Sequence, residues 1–346
     1  MKLVALLAPL LLSTTAVPEG KPLAVDVGGR VVAEGKAMRF GWPGAYFEGR
    51  FRGTEVTASV ETQGDFLRLS IDGRTFQTLV TPGPAVVKIA GLKPGVHVVR
   101  LEKLTESQSG SSRFLGFTTP GTPLAPIIRR AAIEFVGDSH SVGYGNISAS
   151  RDCTQLQVHD TTDTSQAFGP VLAKRLGAEY RVIAYSGYGV VRNYAGGKPG
   201  ENLPFLYPRA IPGEAAPAAP DSWRPQVIVV NLGTNDFSTP VHAGEAWADG
   251  AALHADYRMR YIDFVKELRR LQPQAKLVLM GAETFYPDVA AVAEATGATP
   301  VKVPQLEMTG CHWHPSRKDH RMMADLLDPR VRPALTLPSA PPRNRR

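Results

Sequence analysis

The sequence predicts an α/β protein: a three-layer domain around a parallel sheet, preceded by an all-β sandwich. Three observations carry this. Short alternating runs broken by turn residues fill the first third of the chain. A Pro- and Gly-rich stretch then changes the composition abruptly, and beyond it apolar runs of strand length alternate with helical periods.

In chain order, Met1-Lys2 followed by Leu3 through Leu12 and Ser13-Thr14-Thr15-Ala16 matches a secretory leader, residues 1–16, with a cleavage site after Ala16. Its apolar run is shorter than the roughly 20 residues a bilayer span requires, so the mature protein is expected to lack a span and to be secreted or periplasmic. Residues 20–122 hold the β-type runs: Ala24-Val25-Asp26-Val27, Glu55 to Val60, Phe66 to Ile71 and Val96 to Leu101. Asp72-Gly73 is a hairpin signal, and the region is expected to be a jelly-roll sandwich.

Pro120-Gly121-Thr122-Pro123 marks the boundary to a second domain over residues 128–332. Its strand candidates are Ala132 to Phe135, Arg181 to Tyr185, Gln226 to Val230 and Lys276 to Met280. Tyr257, Tyr261, Phe264, Val265 and Leu268 recur at helical spacing until Pro273. A second helix carries Phe168, Val171, Leu172 and Leu176 and ends at Gly177. Ile211 to Pro225 is expected as a surface insertion. A last helix is expected to reach about Leu327, with residues 333–346 a disordered tail.

The totals narrow the class. With 346 residues, 43% hydrophobic and 21% charged, the chain is globular and long enough for a sizeable core. A formal charge of +7 comes without a basic block interleaved with aromatics, which argues against nucleic acid as a partner. Cys153 and Cys311 are the only cysteines. Export favours a disulfide between them, with two unpaired buried thiols as the alternative, and no metal site is expected.

Val136-Gly137-Asp138-Ser139 places a serine where a buried strand ends, the position at which parallel α/β sheets carry chemistry. Ser186-Gly187-Tyr188-Gly189 and Asn231-Leu232-Gly233-Thr234-Asn235-Asp236 follow two further strands on the same rim. A glycine amide, the Asn235 amide and the N–H of Ser139 form a candidate oxyanion hole. His312-Trp313-His314-Pro315-Ser316 offers a base; His314 is favoured because Pro315 stiffens its loop and a helix follows. Asp138 and Asp236 are expected to brace turns, and His140, His312 and His320 to serve supporting or surface roles.

These blocks, Gly-Asp-Ser, Ser-Gly, Gly-x-Asn-Asp and a late His-Pro in that order, resemble the SGNH (GDSL) hydrolases. The preceding sandwich, Gly143-Tyr144-Gly145-Asn146 and Gly189-Val190-Val191-Arg192-Asn193-Tyr194 sharpen the resemblance to carbohydrate esterase family two, the two-domain acetyl xylan esterase type. The resemblance implies Ser139 as nucleophile, His314 as base, Gly187 and Asn235 as oxyanion donors with Gly189 a rival, and no cofactor. It implies an acetylated carbohydrate as substrate, such as xylan or mannan. A lipid- or thioester-cleaving hydrolase and a glycan-binding protein with a vestigial hydrolase domain are the alternatives.

The SGNH pattern has an aspartate three residues before the histidine, and here Cys311 occupies that position. The resemblance therefore implies a Ser-His dyad, with the histidine oriented by a main-chain carbonyl, that of Trp313. A Cys153–Cys311 bridge would then supply rigidity to the base-bearing loop. Tyr144 and Trp313 are candidate sugar-stacking residues, with plain packing as the other reading.

Overall fold

The computed structural model describes residues 20–335, except 109 and 130. The expected leader and the tail from 336 onward lie outside the described residues.

Residues 21–124 form two antiparallel sheets around one core. One runs in the order Val31–Glu34, Ala37–Phe40, Ser112–Thr119, Val56–Thr62, Gly83–Ile89, with Lys21–Pro22 added to Ser112–Thr119. The other runs Thr122–Leu124, Tyr46–Gly53, Gly95–Lys103, Leu67–Ile71, Arg74–Leu79, with Val25–Gly28 on Tyr46–Gly53. Alternation decides which face is inward: Leu67, Leu69 and Ile71 are buried while Arg68 and Ser70 are half-exposed. Asp72 and Gly73 turn the next hairpin with φ of 51° and 76°, the pair of left-handed residues a tight β-turn needs. Between the sheets Phe47 stacks on Phe114 with centroids 4.2 Å apart. The last strand, Thr122–Leu124, extends past the expected end at residue 122. It is an edge strand, where Pro123 has no ladder amide to supply.

The second domain is built on a five-stranded parallel sheet in the order Glu179–Ala184, Ala132–Gly137, Val227–Asn231, Lys276–Ala282, Thr299–Val303. Both Ala132–Gly137 and Val227–Asn231 are buried throughout, as central parallel strands must be. Helices Gly250–Leu271 and Tyr286–Thr296 cover one face, and Phe168–Arg175 and Arg317–Leu335 the other. Strand Thr299–Val303 and helix Tyr286–Thr296 add to the elements expected from the sequence. The strand is a short edge that carries Pro300 and buries only Val301 and Val303 fully, so it lacks an apolar run.

The last helix also departs from expectation. It neither ends near Leu327 nor yields to a tail at 333, but continues through Pro329 and Pro333 to Leu335. Its apolar stripe continues too: Met323, Ala324, Leu327, Val331 and Ala334 are all buried at spacings of one, three and four. Burial of that stripe outweighs the backbone bonds the prolines remove.

The domains share a polar junction. The Arg100 guanidinium lies 3.5 Å over the Tyr46 ring and donates to the Tyr180 hydroxyl at 2.9 Å, Glu48 at 3.2 Å and Glu102 at 3.3 Å. Glu102 also meets Lys174 at 3.0 Å. Burial pushes the Glu102 carboxyl up, yet Lys174 and Arg100 outweigh it and hold it down to about 2. Replacing Arg100 by Ala leaves Glu102 with Lys174 and Glu48 with Arg129 as their remaining partners, and the expected loss is about 1–3 kcal/mol in urea unfolding at pH 7. The folded carboxyl titrates below its unfolded value of about 4.3, so this stability is fully present above that pH and disappears as pH falls toward 2. Unfolding midpoints of wild type and Arg100→Ala should converge across that window.

Candidate active site

Ser139 opens a short helix, Ser139–Val142, directly after strand Ala132–Gly137. The turn demands glycine at 137, where an added Cβ would lie 2.0 Å from Ser141 Oγ. Asp138 caps the helix by accepting the His140 amide at 3.0 Å. The Ser139 N–H lies in the first turn, where amides have no intrahelical acceptor.

Ser139 Oγ is 2.9 Å from His314 Nε2 across 175 sequence positions. The other ring nitrogen, Nδ1, lies 2.9 Å from the carbonyl of Cys311 and 3.1 Å from that of His312. Carbonyls only accept, so Nδ1 carries the proton and Nε2 is left with the lone pair that receives the serine hydroxyl. The acceptors are not the expected Trp313 carbonyl. Cys311–Trp313 forms a 3₁₀ turn with His312 and Trp313 at φ of 50° and 60°, and this tight reversal turns the two preceding carbonyls toward the ring. Burial pushes the His314 imidazole below its ordinary value, only partly opposed by the two carbonyls.

The loop that carries His314 is clamped by residues after the serine. Cys153 and Cys311 form a disulfide. His312 N–H donates to the Arg151 carbonyl at 2.7 Å, and the Arg151 side chain donates to the carbonyls of Met308 at 2.7 Å and Glu307 at 2.8 Å. His312 Nε2 donates to the Cys153 carbonyl at 2.7 Å, leaving Nδ1 to accept from the Tyr144 hydroxyl at 3.2 Å. Tyr144 packs its ring on His314 at 4.3 Å, so it supports the imidazole. Trp313 is 65% exposed, one face against Arg151 at 3.9 Å. It borders a cavity of about 1040 Å³ also lined by His140, Asn231, Phe285, Gln305 and Leu306.

The two glycines of the second block differ. The Gly189 amide donates to Asn193 Oδ1 at 3.1 Å, and a Cβ there would meet the Arg192 carbonyl at 2.2 Å. Gly187 has φ of 86° and an amide without an acceptor among the described residues, with open space where a Cβ would stand. Asn235 Nδ2 donates to the Tyr188 carbonyl at 2.9 Å and more weakly to Asp138 at 3.3 Å. These acceptors identify the nitrogen end of the amide and engage both of its N–H groups. Asp236 accepts the amides of Val190, Val191 and Arg192 at 3.0, 2.8 and 3.0 Å. Burial pushes both carboxyls up, Asp138 to about 7 and Asp236 to about 6.

Several contributors were not identified from the sequence. Arg192, buried, clamps Glu245 at 2.5 and 2.8 Å and reaches the carbonyls of Asp236, Thr239 and Pro240. Glu106, from the sandwich, accepts the Ser186 amide at 2.7 Å. Arg192 lies in the second block, where the residues alone assign it no chemistry, and Glu106 lies outside every block. His140 meets His314 edge-on at 5.6 Å, and His320 is buried with Nδ1 accepting the Phe168 amide at 3.3 Å.

Comparison with known proteins places the chain among relatives. Residues 27–127 match the carbohydrate esterase 2 N-terminal domain, and residues 135–324 match the GDSL-like lipase/acylhydrolase family. An acetylxylan esterase / glucomannan deacetylase of Cellvibrio japonicus is 42% identical, covering 94% of this chain and 96% of its own. A carbohydrate esterase structure with divergent catalytic and non-catalytic binding functions is 38% identical with a TM-score of 0.84, covering 90% of this chain and 98% of its own. A family two carbohydrate esterase from Clostridium thermocellum, solved with cellohexaose, is 28% identical with a TM-score of 0.80 over 90% of this chain and 99% of its own.

Two outcomes are expected. The rate should rise with pH to a plateau near neutrality, with a midpoint of kcat/KM below 6.5, because the base must be neutral and burial lowers its value; a midpoint above 6.5 in the pH-rate profile contradicts this. Opening the bridge in a Cys153→Ser/Cys311→Ser variant should lower kcat and shift the urea midpoint. The chain-entropy limit for so long a loop is about 5 kcal/mol, and unchanged kcat would show that noncovalent contacts suffice.

Proposed function

The chain belongs to the family two carbohydrate esterases, and on that premise we propose that it removes acetyl groups from O-acetylated plant-type polysaccharides through an acetyl-enzyme on Ser139. One observation carries the mechanism: a serine 2.9 Å from an imidazole whose far nitrogen is occupied by two carbonyls. Ser139 Oγ attacks the acetyl carbon while its proton passes to His314 Nε2. The oxyanion that forms is met by the amides of Ser139 and Gly187 and by Asn235 Nδ2. Asn235 exchanges its 3.3 Å bond to Asp138 for this stronger one. His314 then returns its proton to the departing sugar oxygen. Water, deprotonated by the same nitrogen, releases acetate and restores Ser139.

Xylan and mannan are the substrates we propose, in keeping with the acetylxylan esterase / glucomannan deacetylase relative. The exposed Trp313 beside the large cavity supports a carbohydrate-facing rim, since an indole face suits a pyranose ring. Export is part of the same reading and is supported by the Cys153–Cys311 bridge, which persists in oxidising compartments. Among the described residues no helix is long and apolar enough to cross a membrane.

Wild type should release acetate from acetylated xylan and glucomannan, and Ser139→Ala should reduce that release by at least about a thousand-fold. On 4-nitrophenyl esters, kcat/KM should fall from acetate to octanoate. A preference for octanoate would instead favour a lipid-type hydrolase, and glycan binding without turnover a vestigial one.

A further inference from the structure

The sandwich reaches the candidate active site through the loop that follows strand Gly95–Lys103. Glu106 of that loop accepts the Ser186 amide at 2.7 Å. Gln108 Nε2 donates to the Ser186 carbonyl at 3.4 Å, and the Gln108 main-chain carbonyl accepts the Tyr185 hydroxyl at 3.2 Å. The loop is braced from inside by Lys103, fully buried, which pairs with Asp65 and donates to Ser107 Oγ at 3.0 Å; Ser107 in turn donates to the Gly110 carbonyl at 3.2 Å.

These contacts bear on one peptide plane. The bond between Ser186 and Gly187 is planar and trans, so its C=O and N–H point in opposite directions. A carbonyl drawn toward Gln108 aims the Gly187 N–H the other way. The flanking groups are fixed as well: Glu106 holds the amide before that plane, and the Gly187 carbonyl accepts the Tyr194 amide at 2.8 Å. Gly187, with φ of 86°, tolerates either direction of the plane, so its own conformational preference does not choose one.

We propose that Glu106, assisted by Gln108, is a positioning residue for the oxyanion hole, so that the sandwich completes the esterase site. This rests on Gly187 N–H being the oxyanion donor of the proposed reaction. The requirement is a hydrogen-bond acceptor at position 106, not a charge. An amide there serves as well as a carboxylate, while removal of the side chain frees the Ser186 amide and lets the plane turn.

The test uses full-length Glu106→Ala, Glu106→Gln and Gln108→Ala proteins. Measured are kcat and KM on 4-nitrophenyl acetate, inhibition by phenylboronic acid, whose serine adduct presents an oxygen to the hole, and thermal melting. Glu106→Ala should lose roughly ten- to a hundred-fold in kcat, less than full loss of a donor, with KM within about two-fold. Boronate affinity should fall in parallel. Glu106→Gln should stay within about three-fold of wild type and Gln108→Ala should lose a few-fold. Equal losses in Ala and Gln variants, unchanged kcat in Glu106→Ala, or a loss matched by the unfolded fraction with boronate affinity intact would each overturn the proposal. The esterase reading stands or falls separately, on acetate release by wild type. Labelling of Ser139 by a fluorophosphonate gives the Ala-to-Gln ratio whatever the natural acyl group.

Discussion

The bond from His314 Nδ1 to the carbonyls of Cys311 and His312 is the constraint on which the rest of the site depends. A carboxylate in that place would hold the imidazole by a charge-assisted bond about twice as strong as one to a neutral acceptor, and would stabilise the imidazolium directly. Two carbonyls offer dipoles only, so their value rests on being already in position. That position is held by a turn with two residues at positive φ, which persists only because its surroundings over-determine it. The disulfide, the Arg151 side chain and the pair formed by His312 with Tyr144 and Cys153 supply that over-determination. Cys311 therefore has two uses: its sulfur ties the loop down and its carbonyl orients the imidazole.

The opposite wall shows the same economy of groups. Asp138 caps the serine helix and also accepts from Asn235, linking two of the donors proposed for the oxyanion hole. Asp236 gathers three consecutive amides of the second block and so fixes the loop that begins at Gly189. Both carboxyls are buried on one rim, and burial raises them toward neutrality. Their roles are those of acceptors, set by the amides that surround them, and the hydrogen bonds of His314 go to Ser139, Cys311 and His312 instead.

The sandwich is joined to this rim rather than tethered beside it. Arg100, Tyr46, Tyr180, Glu102 and Lys174 make a junction of aromatic faces and buried charge, and Trp42, fully buried, sits within the core of the hydrolase domain. A loop leaving the same strand then delivers Glu106 to the second block. Rigidity at the junction is thereby passed to the peptide that carries the Gly187 amide.

The sequence by itself determined the fold class, the presence of the central strands and the order of the blocks, because these are written in local patterns. Apolar runs of strand length, Asp72-Gly73 and the helical spacing from Tyr257 to Leu268 need no distant partner to be recognised. Short or irregular elements escaped for the same reason: Thr299–Val303 has no apolar run, and the last helix runs through two prolines because of what its stripe buries. Within the site, the four blocks were legible but their bonding was not. Which carbonyls face His314, which glycine keeps a free amide, whether the cysteines meet and what Glu106 touches all depend on residues 80 to 175 positions apart or on backbone turns only packing can hold. Hydrogen bonds are directional over tenths of an ångström, and only the tertiary structure decides geometry at that scale.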